Sequence, residues 1–214
     1  MSDPGHPAVT GPLAALARRL DGELVSDRLT ATAYSTDASE YQERPLAVAF
    51  PRTDADVREI VRFAAEHRVG LIPRGAGTSL AGQVVGGGIV IDLGRHMNSI
   101  VALDVPGRRV RVQPGVVRNE LNRVLAPHGL FFGPETSTAN WAMIGGMVGN
   151  NSCGSNSIAY GSTRDHLVSV RGFLADGSEV TFAPLAPPDV EAKAAGGSLE
   201  AAVYRELRGM LGAD

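Results

Sequence analysis

PRGAGTSLAG, residues Pro73 to Gly82, follows the short apolar run Val69-Gly70-Leu71-Ile72 and has the composition of a phosphate-gripping loop. Glycine suits such a place because a Cβ would block the approach of the backbone to an anion. Two familiar grips fail on particular residues. A dinucleotide fingerprint needs a third glycine where Leu80 stands. A triphosphate loop fits the spacing of Gly77 and Gly82, but Gln83 and Val84 replace its lysine and hydroxyl, and Gly86-Gly87-Gly88 oppose the helix that should begin there. What survives is a loop of backbone N–H donors flanked by Arg74, suited to diphosphate oxygens rather than to phosphoryl transfer.

Upstream, Leu46 to Phe50 is a short apolar run closed by Pro51. Thr53 then caps a helix whose Val57, Ile60, Val61, Ala64 and Ala65 share one face. A second short buried strand over Val69 to Pro73 completes a βαβ unit, and the loop leaves its end. Further back, residues 12–20 have helical spacing, while Leu24 to Ser39 is polar, irregular and carries no readable function.

Downstream, GGGIVIDL, Ser99 to Asp104 and Arg109 to Gln113 read as strands of a small mixed sheet, the last two joined by the Pro106-Gly107 turn. Val117 to Pro127 predicts a helix ended by Gly129. Residues 133–166 then run without clean periodicity through a second glycine-rich element, IGGMVGNNSCG from Ile144 to Gly154. A long aperiodic segment inside a domain is usually functional. A hairpin over Asp176-Gly177, a Pro/Ala/Gly-rich linker from Pro184 to Gly197 and a helix capped by Ser198 finish the chain. The predicted divisions are 1–45, an N-terminal helix and entry segment; 46–183, the ligand domain; and 184–214, linker and terminal helix.

The 214 residues are 43% hydrophobic with a formal net charge of −3, so a real core is affordable and no basic face points to nucleic acid or a membrane surface. Cys153 is the single cysteine, which excludes an internal disulfide and any cluster held by this chain alone. The N-terminus lacks the signature of a signal peptide and no run is long and apolar enough to span a bilayer, so a cytoplasmic setting is expected.

PRGAGTSLAGQVVGGGIVIDL, VQPGVVRNELNRVLAPHGLFFGPETST, IGGMVGNNSCGSNSIAYGSTRDHL and FLADGSEV, in that order over residues 30–183, resemble the FAD-binding domain of the vanillyl-alcohol oxidase and p-cresol methylhydroxylase superfamily. The resemblance is nearest to FAD-linked D-2-hydroxy-acid dehydrogenases, and the NNSCGSNSIAYG variant is similar to long members fused to an iron-sulfur region. It implies an α+β fold of two lobes, a small βαβ lobe and a larger mixed-sheet lobe, with FAD between them. It further implies backbone contacts to the diphosphate from Pro73, Arg74, Gly75, Ala76, Gly77, Thr78 and Ser79. Pro134, Glu135 and Thr138 would line the flavin and ribityl side. Gly145, Gly146, Asn151, Ser152 and Gly154 would hold the pyrophosphate and ribityl chain, with Tyr160 and Gly161 in the same wall and Val180 near adenine.

Some relatives bind flavin through a histidine in the first loop; Thr78 stands there, so noncovalent FAD is expected. Cys153 is expected to be a small packing residue rather than a flavin attachment point. His166 is a tempting base, but Asp165 and His166 precede a strand and are expected to fasten the loop; His67 and His128 are expected to be solvated at helix ends. The residues of the family that bind the substrate carboxylate and take the hydroxyl proton lie mainly in a C-terminal lobe, so this chain is expected to bind FAD, to turn over a 2-hydroxy acid poorly alone, and to self-associate or be poorly stable without FAD. A stand-alone flavin subunit with separate partners, and a nucleotide-binding regulatory module without redox chemistry, are the alternatives.

Overall fold

The computed structural model describes residues 10–212; His6 and the rest of the first nine lie outside them. Helix α1 (Thr10–Ala17) and strand β1 (Glu23–Val25) lead through α2 (Arg28–Ala33) to β2 (Ala47–Phe50), α3 (Asp54–His67), β3 (Leu71–Arg74) and β4 (Ile89–Asp92). The strands form one sheet in the order β1-β2-β4-β3, with β1 antiparallel and the rest parallel. The stretch read as polar and irregular therefore contains a strand and a helix, the latter fixed by Asp27 Oδ1, which accepts the N–H groups of Leu29 and Thr30.

The βαβ crossover is present, but β4 is inserted between its two strands. β2 is buried throughout and β4 through Ile91, because both faces are covered. Leu13, Leu16, Ile60 and Phe63 pack on Ala47, Ala49, Ile89 and Ile91, while Tyr34, Val25 and Ile72 cover Val48, Phe50 and Val90. β3, expected to be buried, is an edge strand with Pro73 exposed. A residue without an N–H is tolerated at an edge, where one side of the ladder is empty. α3 begins on a reciprocal Thr53 and Asp56 cap. Asp56, 2% exposed, also accepts the N–H groups of Asp21, Gly22 and Arg52, so one carboxylate joins the helix start to the chain that enters β1.

Beyond the sheet, β5 (Ile100–Asp104) and β6 (Arg109–Val112) pair as a hairpin, separate from β4. They pack with α4 (Arg118–Leu125) around Val116, Leu121 and Leu125. The aperiodic segment includes α5 (Ile144–Gly149), α6 (Ser157–Tyr160) and a 3-10 turn at Thr163–His166. The final hairpin, β7 (Val170–Phe173) and β8 (Glu179–Phe182), lies against α3, where Arg58 bonds Glu179 at 3.1 Å and stacks over Phe173. The strands after Ser99 thus form two hairpins, and the mixed sheet is the four-stranded one.

The predicted linker is instead α7 (Pro187–Ala194), which packs on α8 (Leu199–Leu211) through Ala194 and Ala201, both nearly inaccessible. Pro187 and Pro188 occupy the first positions of α7, where the missing N–H costs no helical bond. Proline thus starts a helix where composition suggested a flexible tether.

Candidate functional site

The first loop starts at the carboxyl end of β3. Among the described residues, none of the N–H groups of Gly75 to Ser79 donates to another protein group, although the Gly77 carbonyl accepts from Ala38 N–H at 3.0 Å. Gly77 is left-handed, φ 68°, and a Cβ there would lie 2.4 Å from Arg74 Nη2. Arg74 itself is folded inward: its guanidinium stacks over the Tyr34 ring at 5.3 Å and donates to the Val84 carbonyl at 3.4 Å. Gly82, φ 70°, closes the loop over the ring of Tyr41.

Beneath the loop, Tyr34 Oη donates to Asp92 Oδ2 at 2.6 Å. Burial, and then the bond to that carboxylate, push the phenol well above its ordinary value. Asp37 lies nearby with Oδ1 accepting from the Ser39 N–H and hydroxyl. Burial works to raise this carboxyl, but the Ser39 bonds, with help from Arg74, outweigh it and hold it below the ordinary range.

The second glycine-rich element is a short helix with its exit turn, not the loop of free donors that composition suggested. At its start, Ile144 and Gly145 donate to the carbonyls of Val116 and Pro114, each at 2.8 Å. Gly145 is pressed so close to Pro114 that a Cβ would fall 2.5 Å from the proline Cβ. Gly146 differs: it is exposed and a Cβ there would meet nothing within 4 Å. The chain leaves α5 through Asn151, φ 46°, whose Oδ1 accepts from Arg164 N–H at 2.9 Å. Ser152 is held through its carbonyl, which accepts from the hydroxyl of the buried Thr163. Cys153 is exposed, contrary to the packing role expected, while its neighbours Ser152 and Gly154 are half-buried.

A third wall comes from Phe132 to Thr138. Arg118 donates to the carbonyls of Pro134 and Phe132, and Asn122 bonds both backbone groups of Phe132. Glu135 accepts from Asn156 through its side chain, while its carbonyl would lie 2.1 Å from a Cβ on Gly154. Thr138 O receives the N–H groups of Trp141 and Ala142, turning the chain toward Met143. Tyr160 is 43% exposed, contacts Gly133 and stacks edge-on with Phe131. Its carbonyl lies 2.6 Å from His166 Nε2, and Asp165 is tied to Ser162, whose N–H and then hydroxyl lower the carboxyl. Both residues therefore fasten the turn after Gly161, φ 70°. His67 is half-buried at the end of α3, its ring tilted against Phe63.

The structure brings the two glycine elements together. Met143 lies against Gly75, and Gln83 Nε2 donates to Asn150 Oδ1 at 2.7 Å across the gap. Gly145, Gly146, Asn151, Ser152 and Gly154 follow on one side; Pro134, Glu135, Thr138, Tyr160 and Gly161 extend the same wall. Val180 is buried on β8, in the hairpin packed on α3, with no hydrogen bond to the glycine segments among the described residues. Missed from sequence were Tyr34, Asp37, Ala38 and Tyr41 under the first loop, the Gln83 to Asn150 bridge, and Arg118. Apart from Asp37, whose partner Ser39 is two residues on, each acts through a partner far along the chain and has no spacing signal.

A row of open N–H groups beside a left-handed glycine fits a diphosphate, and the facing wall, glycine-rich with the Glu135 carboxylate engaged by Asn156, leaves room for the rest of a dinucleotide. Among the described residues there is no group of three potential metal ligands and no helix long and apolar enough to cross a membrane.

Residues 45–183 match a family described as FAD binding domain. The chain is 42% identical to D-2-hydroxyglutarate dehydrogenase of Pseudomonas putida over 87% of this chain and 19% of that protein. It is 39% identical to glycolate oxidase subunit GlcD of Bacillus subtilis over 67% of this chain and 31% of that one. The chain spans about a fifth to a third of the length of these curated relatives. Among solved structures, xylooligosaccharide oxidase from Myceliophthora thermophila is similar with a TM-score of 0.70 at 26% identity, over 83% of this chain and 38% of that one. Both glycine elements and the wall between them lie inside the matched residues, and the chain belongs to the FAD binding domain family, in its vanillyl-alcohol oxidase and p-cresol methylhydroxylase form.

Proposed function

We propose that this chain is the cofactor-holding part of an oxidoreductase acting on a D-2-hydroxy acid, and that it holds FAD without a covalent bond. The observation that carries the assignment of the site is the row of unpartnered N–H groups from Gly75 to Ser79, facing α5 across the Gln83 to Asn150 bridge. These N–H groups would donate to the diphosphate oxygens. Pro134, Glu135 and Thr138 line the flavin and ribityl side, Gly145, Gly146, Asn151, Ser152 and Gly154 close on the pyrophosphate and ribityl chain, Tyr160 and Gly161 complete the wall, and Val180 packs near adenine. Thr78 stands where a histidyl attachment would need an imidazole.

FAD, when bound, would supply the two-electron acceptor for hydride from the α-carbon of the hydroxy acid. The chain's own residues bind and orient it. The substrate relationship follows from the similarity to D-2-hydroxyglutarate dehydrogenase and glycolate oxidase subunit GlcD. The groups that grip the substrate carboxylate and accept the hydroxyl proton are assigned to further domains, as the length of those relatives suggests, and the protein is assigned to the cytoplasm. The test is the visible spectrum of purified protein mixed with FAD, desalted and then precipitated with acid. Flavin absorbance that co-elutes and then leaves with the supernatant is expected; failure of folded protein to retain flavin would overturn the assignment.

A further inference from the structure

The entry segment before residue 45 lies outside the family match, yet it forms the floor of the first glycine loop. Ala38 N–H holds the Gly77 carbonyl, the Tyr34 ring supports the Arg74 guanidinium, and Tyr41 lies under Gly82. The Arg74 side chain occupies the space a Gly77 Cβ would take and reaches across the loop to Val84 O, so one cation joins both ends of the loop and the entry segment. An arginine that reached toward a ligand would have its guanidinium free on the open side. This one is engaged on the side of the loop that faces Tyr34.

We propose that Arg74 is a positioning residue, a strut that with Ala38 and Tyr34 keeps the N–H groups of Gly75 to Ser79 open and aligned for the diphosphate, and that it does not pair with the phosphates itself. The proposal rests on the diphosphate site assigned above. Planarity matters to the strut, since the guanidinium lies over the ring and donates along its fork at once, and a compact ammonium cannot reach both partners from the same position.

The experiment measures FAD affinity by flavin fluorescence over a range of salt concentrations, together with amide exchange of the unliganded chain at Ala38 and Val85, whose N–H groups bond the loop carbonyls of Gly77 and Gly82. Arg74→Ala is expected to weaken FAD by about tenfold or more, with the salt dependence unchanged and exchange at both amides faster; tenfold is the scale of one lost polar support. Arg74→Lys is expected not to restore binding. Ala38→Pro, which removes the N–H and leaves the cation, is expected to weaken FAD in the same direction. Rescue by Arg74→Lys with a flattened salt dependence in Arg74→Ala would overturn the strut in favour of a direct ion pair, since only a charge pair is screened. An unaltered affinity and unaltered exchange would remove any role. Should wild-type protein take up no FAD, the site assignment fails separately, and exchange at Ala38 and Val85 still decides whether Arg74 braces the loop.

Discussion

The two glycine-rich elements have similar compositions and are glycine-rich for different reasons. In residues 75–82 the left-handed backbone at Gly77 and Gly82 leaves a run of N–H groups without protein partners. In residues 144–154 the first two N–H groups are bonded, and Gly145 and Gly154 are small because another stretch of chain presses on them. The first element meets flexible side chains, Arg74 and Tyr41, and leaves its N–H groups open; the second meets backbone and a proline and has its first N–H groups engaged by the chain itself. Glycine content alone therefore does not separate ligand approach from backbone packing.

The largest effect that can break this comparison is at Gly154. A Cβ would lie 2.1 Å from the Glu135 carbonyl oxygen, a backbone atom that cannot swing aside. Gly154→Ala is expected to destabilise by about 3 kcal/mol, the upper range of overpacking, which is a large part of a domain's stability. Gly145→Ala should follow closely because of Pro114. Denaturant unfolding measures both. If Gly154→Ala unfolds like wild type, the second element is not held by close packing.

Gly77→Ala should behave differently. The left-handed backbone costs roughly 1–2 kcal/mol with a Cβ, and the clash is with the movable end of Arg74, which can shift. Stability should fall modestly, while FAD affinity falls by about tenfold or more, since displacing the guanidinium also disturbs the loop. Comparing the unfolding curve with a fluorescence titration separates the two effects. A loss of stability without a loss of affinity would mean that the first loop, too, is structural.

Legibility in the sequence follows the range over which each feature is determined. The α3 cap at Thr53, the hairpin turn at Gly177 and the helix stop at Gly129 are local, and each was readable from a few residues. The position of β4 between β2 and β3 was not, because an apolar run such as Ile89 to Ile91 is the same string in a central or an outer strand. Both glycine segments were legible as special, but the helical state of Ile144 to Gly149 depends on contacts with Pro114 and Val116 that outweigh the low helix propensity of its glycines. The floor made by Tyr34 and Ala38 was invisible for the same reason: its partners are some forty to sixty residues away.

That floor gives a pH test of the first element. The folded-state pKa of Tyr34 is raised by burial and by Asp92, so its contribution to stability is complete below the unfolded value, near 10. Above that, the unfolded chain gives up its proton first, and stability falls as pH rises toward the folded value. Thermal unfolding between pH 9 and 11 is expected to show an alkaline decline that is smaller in Tyr34→Phe. An identical decline in both proteins would exclude Tyr34 as its source.

The smallest expected change lies at Gly146, where the second element departs from its own rule. Gly146 is helical and exposed, a Cβ would meet nothing, and φ is ordinary, so nothing in the chain requires a glycine there. Alanine in a helix interior is favoured over glycine by up to about 1 kcal/mol, less at a first turn. Gly146→Ala should therefore raise the unfolding midpoint slightly. If the residue is glycine because FAD approaches its backbone, the same substitution weakens FAD severalfold, giving a protein that is more stable empty and binds less well. Gly149, equally open at the end of the same helix, supplies the internal control: its alanine variant tests whether the loss of affinity is confined to the side nearer Gly75 or extends along the helix. If Gly146→Ala and Gly149→Ala both bind fully, the second element has no open glycine attributable to the ligand, and recognition of the diphosphate by exposed backbone falls to the first loop.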